Sequence, residues 1–160
     1  RALIVGYGPL GRECARLLKA LGMSVVGLKR RPDGDPAPAD AVLGIEHLHE
    51  QLREADHLVL TLPGDTGTDH LIGAPELALL RPSAGIYNIG RGNALDERAL
   101  VSALERGELA HAFLDVFERE PLPSDSALWT TKNLALMPHA SAISREYLDL
   151  WLEELAPELG

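Results

Sequence analysis

The sequence predicts an α/β domain, a doubly wound parallel sheet with helices on both faces, and three observations carry that prediction. Apolar runs of strand length alternate with segments of helical period. The runs ALIVG, VVGL, HLVLTL, GIYNI and HAFLDV are nearly continuous in apolar residues, as in strands covered by helices on both faces, whereas half-solvated strands alternate. A glycine-rich turn, Gly6-Tyr7-Gly8-Pro9-Leu10-Gly11, stands between the first run and the first helical segment.

Taken in order, Ala2–Gly6 reads as a strand and Pro9–Leu21 as a helix. Leu10, Cys14, Leu17, Leu18 and Leu21 recur at helical spacing and are expected to form one stripe against the sheet. Cys14 then reads as a small buried hydrophobe, since no cation accompanies it in the sequence. Ser24–Leu28 is the second strand. Arg31–Asp40, with three prolines and three aspartates, is expected to be an extended surface loop. His47 and His49 fall on a helical segment at i, i+2 and point to different faces, which disfavours a metal pair; His57, His70 and His111 lack carboxylate or Cys partners at ligand spacing. His57–Leu62 is a strand, Pro75–Leu80 a helix and Ile86–Ile89 a strand. Asp96–Arg106 is a helix with Asp96 as N-cap and Gly107 just past its end. His111–Val116 and Leu134–Met137 are strands. Glu118–Ser126, with two prolines, is neither helix nor central strand. Ile143–Leu155 is helical in period but apolar on more than one face, so its own sheet, a further domain or a second subunit is expected to cover it.

Composition narrows the function classes. Against 24 Asp plus Glu stand 15 Lys plus Arg, a formal charge of −9, and this balance argues against nonspecific nucleic-acid binding. No apolar run reaches the roughly 18 residues of a membrane helix. One cysteine excludes an internal disulfide framework and a multi-Cys zinc site, and suits a cytoplasmic location; no metal is expected. No G-x-S-x-G elbow surrounds a serine, so serine hydrolysis has no support. Strand-like sequence begins at once at Ala2, so the chain is expected to be one domain, residues 1–160, of a longer protein.

The glycine turn is G-x-G-x-x-G between a strand and a helix, the setting in which it binds dinucleotides and which makes the predicted fold Rossmann-type. Gly6 permits the tight turn, Gly8 lets the backbone approach a pyrophosphate and Gly11 lets helix and strand pack closely. Pro9 suits the first helical turn, and the amides there, with Leu10, face the phosphates. An NAD-type domain would place a ribose-binding carboxylate about 20 residues further on. Lys29-Arg30-Arg31 stands there instead, either a solvated basic loop or a site for the 2′-phosphate of NADP, and the nearest acid in sequence, Asp33, lies beyond Pro32. The expected cofactor is therefore NADP in preference to NAD.

The stretches GYGPLG, NIGRGNALDERALVSALERGEL, LDVFEREPLP and LWTTKNLALMPHASAIS, in this order, resemble the D-isomer-specific 2-hydroxyacid dehydrogenases, and among them the glyoxylate and hydroxypyruvate reductase type. The resemblance implies a nicotinamide-binding domain inserted into a substrate domain whose segments would precede Arg1 and follow Gly160, and a homodimer. It assigns catalysis to Arg91, Glu120 and His139. It makes Asp115 the partner of the nicotinamide carboxamide, puts Ile89 and Gly90 in the same pocket, and makes Leu62, Pro63 and Thr68 part of a cofactor-flanking loop. Two places depart from the family pattern, Pro63-Gly64-Asp65-Thr66-Gly67-Thr68 and Ser141-Ala142.

The chemistry of these residue types agrees with that assignment. Reduction of a 2-oxo acid develops negative charge on the carbonyl oxygen, so the site needs a proton donor, which His139 can be, and a permanent cation for the carboxylate, which Arg91 can be. Glu120 on the other imidazole nitrogen would fix the ring and favour its protonated form. Each is singly also an ordinary loop residue. The same motifs occur in corepressors that sense nucleotides and in phosphite dehydrogenases, which stay open as alternatives; formate dehydrogenases carry glutamine where Glu120 stands.

Overall fold

The structure is a computed structural model that describes residues 1–141. Its strands are β1 (Ala2–Val5), β2 (Val25–Lys29), β3 (Ala41–Gly44), β4 (His57–Leu60), β5 (Gly85–Asn88), β6 (His111–Leu114) and β7 (Leu134–Leu136). Its helices are α1 (Pro9–Ala20), α2 (Leu48–Leu52), α3 (Ala74–Leu77) and α4 (Glu97–Glu105). All strand pairs are parallel, in the order β3-β2-β1-β4-β5-β6-β7.

The continuous apolar runs serve two cores at once. Along β1, Leu3 and Val5 join a cluster built with Leu48 and Leu52 of α2, Leu77 of α3 and Leu100 and Leu104 of α4. Ala2 and Ile4 point the other way, into a smaller cluster with Ala15 of α1. In β4, Leu58 and Leu60 face the first cluster and Val59 the second. Alternation in direction with no alternation in polarity is what a sheet buried on both faces requires.

Local signals fix the ends of the longer helices. Asp96 caps α4 by accepting from Ala99 N at 3.0 Å, and Gly107 beyond its end takes φ +69°. The helix expected at Pro75–Leu80 is the shorter α3, whose start is closed by Glu76 accepting from Gly73 N at 3.1 Å.

Two expectations are corrected. Only part of the α1 stripe lies against the sheet: Cys14 and Leu18 pack inward with Gly11 and Ala15, whereas Leu10, Leu17 and Leu21 are 48%, 51% and 77% exposed. The helix lies so close over the glycine turn that a Cβ on Gly11 would come within 2.6 Å of Gly6 O, and only small residues fit there. Cys14 is half-buried in that face, and burial, with Glu13 beside it, raises its thiol pKa. The second correction is β3, a sheet-edge strand whose first three residues are half-exposed and whose last, Gly44, is buried; it follows the predicted loop directly. Ile143–Leu155 lies outside the described residues.

Tyr7 ties the glycine turn to the loop before β3. Its ring packs over Gly27, and its hydroxyl donates to Pro36 O at 2.8 Å and accepts from Ala39 N at 2.9 Å.

Candidate active site

Strand order reverses between β1 and β4, so the connections leaving their carboxyl ends diverge and leave a crevice. A cleft of about 670 Å³ opens there. Gly6, Gly8, Pro9 and Leu10 form one wall. Gly6 has φ +102°, and a Cβ on it would sit 2.8 Å from the Thr61 carbonyl carbon, so the close approach of the β1 and β4 ends needs glycine. Gly8 has nothing within 4 Å of where its Cβ would stand, and it offers α1 no side-chain cap. The first amides of α1, which have no intrahelical partner, therefore open on the cleft. Gly11 lies behind this wall, under Gly6.

Lys29 and Arg30 reach the cleft from the end of β2, whereas Arg31 is exposed outside it. Two acids attend these cations, although the nearest one in sequence lies beyond Pro32. The chain turns back after Pro32, so that Lys29 Nζ donates to Asp33 Oδ1 at 2.8 Å, and this bond holds the Asp33 carboxyl below its usual range. Arg30 Nη2 donates to Asp65 Oδ2 at 2.8 Å across the cleft mouth. Sequence distance concealed only the second contact, since Asp33 is four residues from Lys29 and Asp65 thirty-five from Arg30.

The opposite wall is Leu62, Pro63 and Thr68. Thr68 is buried, and its hydroxyl lies 2.9 Å from Pro63 O and 2.8 Å from Asp65 O, so it holds the shape of the departed loop. Ile89, Gly90 and Arg91 complete the cleft beyond β5. A Cβ on Gly90 would stand 2.7 Å from Leu62 N and O. The buried Asn88 fixes this corner, accepting from Gly90 N at 3.2 Å and donating to Arg91 O at 3.0 Å. Sequence reasoning missed Asn88; its signal is a polar residue ending an apolar run.

The three candidate catalytic residues follow neighbouring strands, Arg91 after β5, Glu120 after β6 and His139 after β7. His139 Nδ1 and Glu120 Oε2 are hydrogen-bonded at 2.7 Å, and Glu120 Oε1 accepts from Phe117 N at 3.0 Å. Burial works to raise the Glu120 pKa, but the bonds from His139 and Phe117, with the charges of His139 and Arg91, outweigh it and hold the carboxyl below its usual range. Glu120 and His139 border a second, apolar cleft of about 700 Å³ with Phe117, Trp129 and Met137, while Arg91 lines the first.

His139 has φ +53°, a left-handed conformation that a non-glycine residue adopts at a cost of about 1–2 kcal/mol. The buried Asp115 stabilises it. Its Oδ1 accepts from Ala140 N at 2.9 Å, and its Oδ2 from Ser141 N at 3.2 Å and from the Ser141 hydroxyl at 2.5 Å. Burial pushes the Asp115 pKa up, and these three bonds, with the His139 charge, bring it net below the usual range. An ionised carboxylate has about four lone-pair positions, so one acceptor position remains.

A further polar junction was not foreseen. Glu97 N donates to Glu118 Oε1 at 2.9 Å and Glu118 N to Glu97 Oε1 at 2.7 Å, which binds the segment before Glu120 to the start of α4. Burial raises the Glu97 pKa, opposed by its backbone bond from Glu118 and reinforced by the Glu118 charge. His70, which has no carboxylate at ligand spacing in the sequence, lies 3.2 Å from the distant Glu118. His57 and His111 share the Tyr87 hydroxyl at 3.1 and 2.8 Å. Among the described residues no group of His, Cys, Asp and Glu could hold a metal ion, and no helix is long and apolar enough to cross a membrane.

Comparison with known proteins places this geometry in a family. Residues 1–141 match the family described as D-isomer specific 2-hydroxyacid dehydrogenase, NAD binding domain. The chain is 41% identical over 146 residues to glyoxylate/hydroxypyruvate reductase B of Yersinia pestis, covering 89% of this chain and 44% of that one. A D-isomer specific 2-hydroxyacid dehydrogenase family protein from Aeromonas salmonicida superposes with a TM-score of 0.88 at 38% identity, covering 99% and 51%. NADPH-dependent glyoxylate/hydroxypyruvate reductase from Sinorhizobium meliloti, in complex with NADP and sulfate, does so with 0.86 at 31% identity, covering 99% and 51%. The chain thus spans about half the length of these relatives. With a parallel sheet in the dinucleotide-binding order, a glycine turn at its switch point and the family's motifs at the strand ends, the chain belongs to the D-isomer specific 2-hydroxyacid dehydrogenases and matches their NAD-binding domain.

Proposed function

We propose that the full-length protein carrying this chain is an oxidoreductase that interconverts a small 2-oxo acid and a D-2-hydroxy acid, of the glyoxylate or hydroxypyruvate class, and prefers NADPH to NADH. The observation that carries this reading is the 2.7 Å bond between Glu120 and His139, set at the ends of adjacent strands with the Arg91 charge acting on Glu120. The open space at Gly8 and the uncapped start of α1 fit a dinucleotide's diphosphate. Lys29 and Arg30 on the cleft, with Arg31 beside it, fit a 2′-phosphate, and the remaining acceptor position of Asp115 fits the carboxamide. When bound, the nicotinamide exchanges a hydride with the substrate carbon.

The chain's own residues do the rest. The Arg91 guanidinium holds the substrate carboxylate and polarises the adjacent carbonyl. Glu120 holds His139 by Nδ1, which leaves the other ring nitrogen for the substrate oxygen. His139 gives its proton to that oxygen in reduction and takes it back in oxidation. Glu120 stays ionised through both, since its partners hold its pKa low.

The names of the Yersinia and Sinorhizobium relatives support both the substrate class and the cofactor. In this reading residues 1–160 are the dinucleotide-binding domain, a substrate domain is supplied by segments before Arg1 and after Gly160, and the protein works as a cytoplasmic homodimer. The test is NADPH and NADH oxidation by the full-length protein with glyoxylate, hydroxypyruvate and larger 2-oxo acids. Turnover of the small acids, faster with NADPH, is the expected result; no oxidation with any of them overturns the assignment.

A further inference from the structure

The contact between Arg30 and Asp65 joins the two walls of the cofactor cleft. Arg30 comes from the end of β2 and Asp65 from the loop after β4. Asp65 does not depend on Arg30 for its position, because its Oδ1 accepts from Gly67 N at 2.9 Å and its carbonyl from Thr68 N at 3.0 Å. Only Oδ2 is turned toward the arginine. The Arg30 side chain is 75% exposed and can move.

We propose that Asp65 is a specificity-determining residue: its carboxylate competes with the 2′-phosphate of the cofactor for Arg30, and so limits how strongly the protein prefers NADPH to NADH. This rests on the reading above, in which Arg30 meets that phosphate. A ribose 2′-hydroxyl carries no charge and leaves the Arg30–Asp65 pair intact. A 2′-phosphate, with more than one negative charge near neutral pH, must draw the guanidinium away from a fixed carboxylate and accept the repulsion of that carboxylate. Asp33 imposes no such choice across the cleft, because it stands only four residues after Lys29, in the loop that follows β2. The loop Pro63-Gly64-Asp65-Thr66-Gly67-Thr68 thereby takes part in cofactor selection from the wall opposite the basic cluster.

The experiment measures binding without turnover. Adenosine 2′,5′-bisphosphate and adenosine 5′-monophosphate are titrated calorimetrically into the full-length protein and into its Asp65→Asn, Arg30→Ala and doubly substituted forms. Asparagine keeps an acceptor for Gly67 N, so the loop retains its turn. Asp65→Asn is expected to tighten the bisphosphate by about two- to fivefold, the range of an exposed ion pair, and to leave the monophosphate unchanged. In the Arg30→Ala background the same substitution is expected to do nothing. If Arg30→Ala weakens the bisphosphate but Asp65→Asn leaves it unchanged, competition is refuted while the role of Arg30 stands. If Arg30→Ala leaves bisphosphate affinity as it was, the phosphate reading falls, and the inference with it. An Asp65→Asn gain that persists without Arg30 is a long-range charge effect, and equal changes in both ligands a loop effect; either overturns the proposal.

Discussion

Asp115→Asn should release the segment that carries His139. The native carboxylate takes three donors, Ala140 N, Ser141 N and the Ser141 hydroxyl, and with them keeps His139 at φ +53°. An asparagine amide offers one oxygen and one NH2, so in either orientation a backbone N–H faces a donor. One charge-assisted bond is lost outright, at about 1.5–3 kcal/mol, and the others weaken as the charge disappears. A loss of about 2–3 kcal/mol exceeds the intrinsic cost of the left-handed conformation, and the segment should open. At 1.36 kcal/mol per factor of ten, amide hydrogen exchange at Ala140 and Ser141 should quicken by about 30- to 150-fold, with Leu3 and Leu58 in the sheet unaffected. Exchange at Ala140 and Ser141 as slow as in the native protein would refute the clamp.

Other outcomes follow from the same contacts. Gly6→Ala, forced to φ +102° with its Cβ against the Thr61 carbonyl carbon, should destabilise the fold by about 2–4 kcal/mol, read by chemical denaturation; Gly8→Ala should melt like the native protein yet bind NADPH at least about tenfold more weakly. His139→Ala in the full-length protein should lower kcat by about 10²–10⁴-fold while NADPH binding persists; near-native kcat would remove His139 from the chemistry. Glu120 and Asp115 have folded pKa values below their unfolded ones, so the stability they contribute is present above the ordinary carboxylate range and is lost as pH falls through the depressed values. Exchange at residues 139–141 should therefore be level above about pH 5 and quicken below about pH 4, after correction for the intrinsic rate. Glu97→Gln, which keeps the acceptor for Glu118 N and relieves a like charge, should be neutral to mildly stabilising at neutral pH, whereas Glu97→Ala should cost about 1–2 kcal/mol.

What the sequence reveals here follows the range of the forces involved. The strands at Ala2, Val25, His57, Gly85 and His111 are legible because burial on both faces leaves an unbroken apolar run, and α4 because Asp96 and Gly107 mark its ends chemically. The edge strand β3 is missed although Ala41–Gly44 is itself apolar, because the run is short and follows directly on a proline-rich loop. The inward face of α1 is only half legible, because bulk is a poor sign of burial where a helix is pressed onto a glycine turn: Gly11 and Ala15 are buried, and Leu10, Leu17 and Leu21 stay outside. The site divides in the same way. Gly6, Gly8 and Gly11 have local meaning, and Arg91, Glu120 and His139 emerge from motif order. The Arg30–Asp65, Asp115–Ser141 and Glu97–Glu118 contacts join residues far apart in the chain, and only the folded arrangement reveals them.

The bridging hydroxyl of Tyr7 bears on when the disorder of the chain is removed. Residues 31–40, rich in proline and aspartate, have few apolar side chains with which to hold themselves, yet Tyr7 fixes Pro36 and Ala39 from within the glycine turn. Ordering a backbone residue costs about 1–2 kcal/mol, so a segment of this length left loose until a ligand arrived would erase much of whatever affinity the cleft offers. Anchored by a side chain of the glycine turn itself, the segment is preorganised, and the entropy of arranging it belongs to folding and not to any later binding.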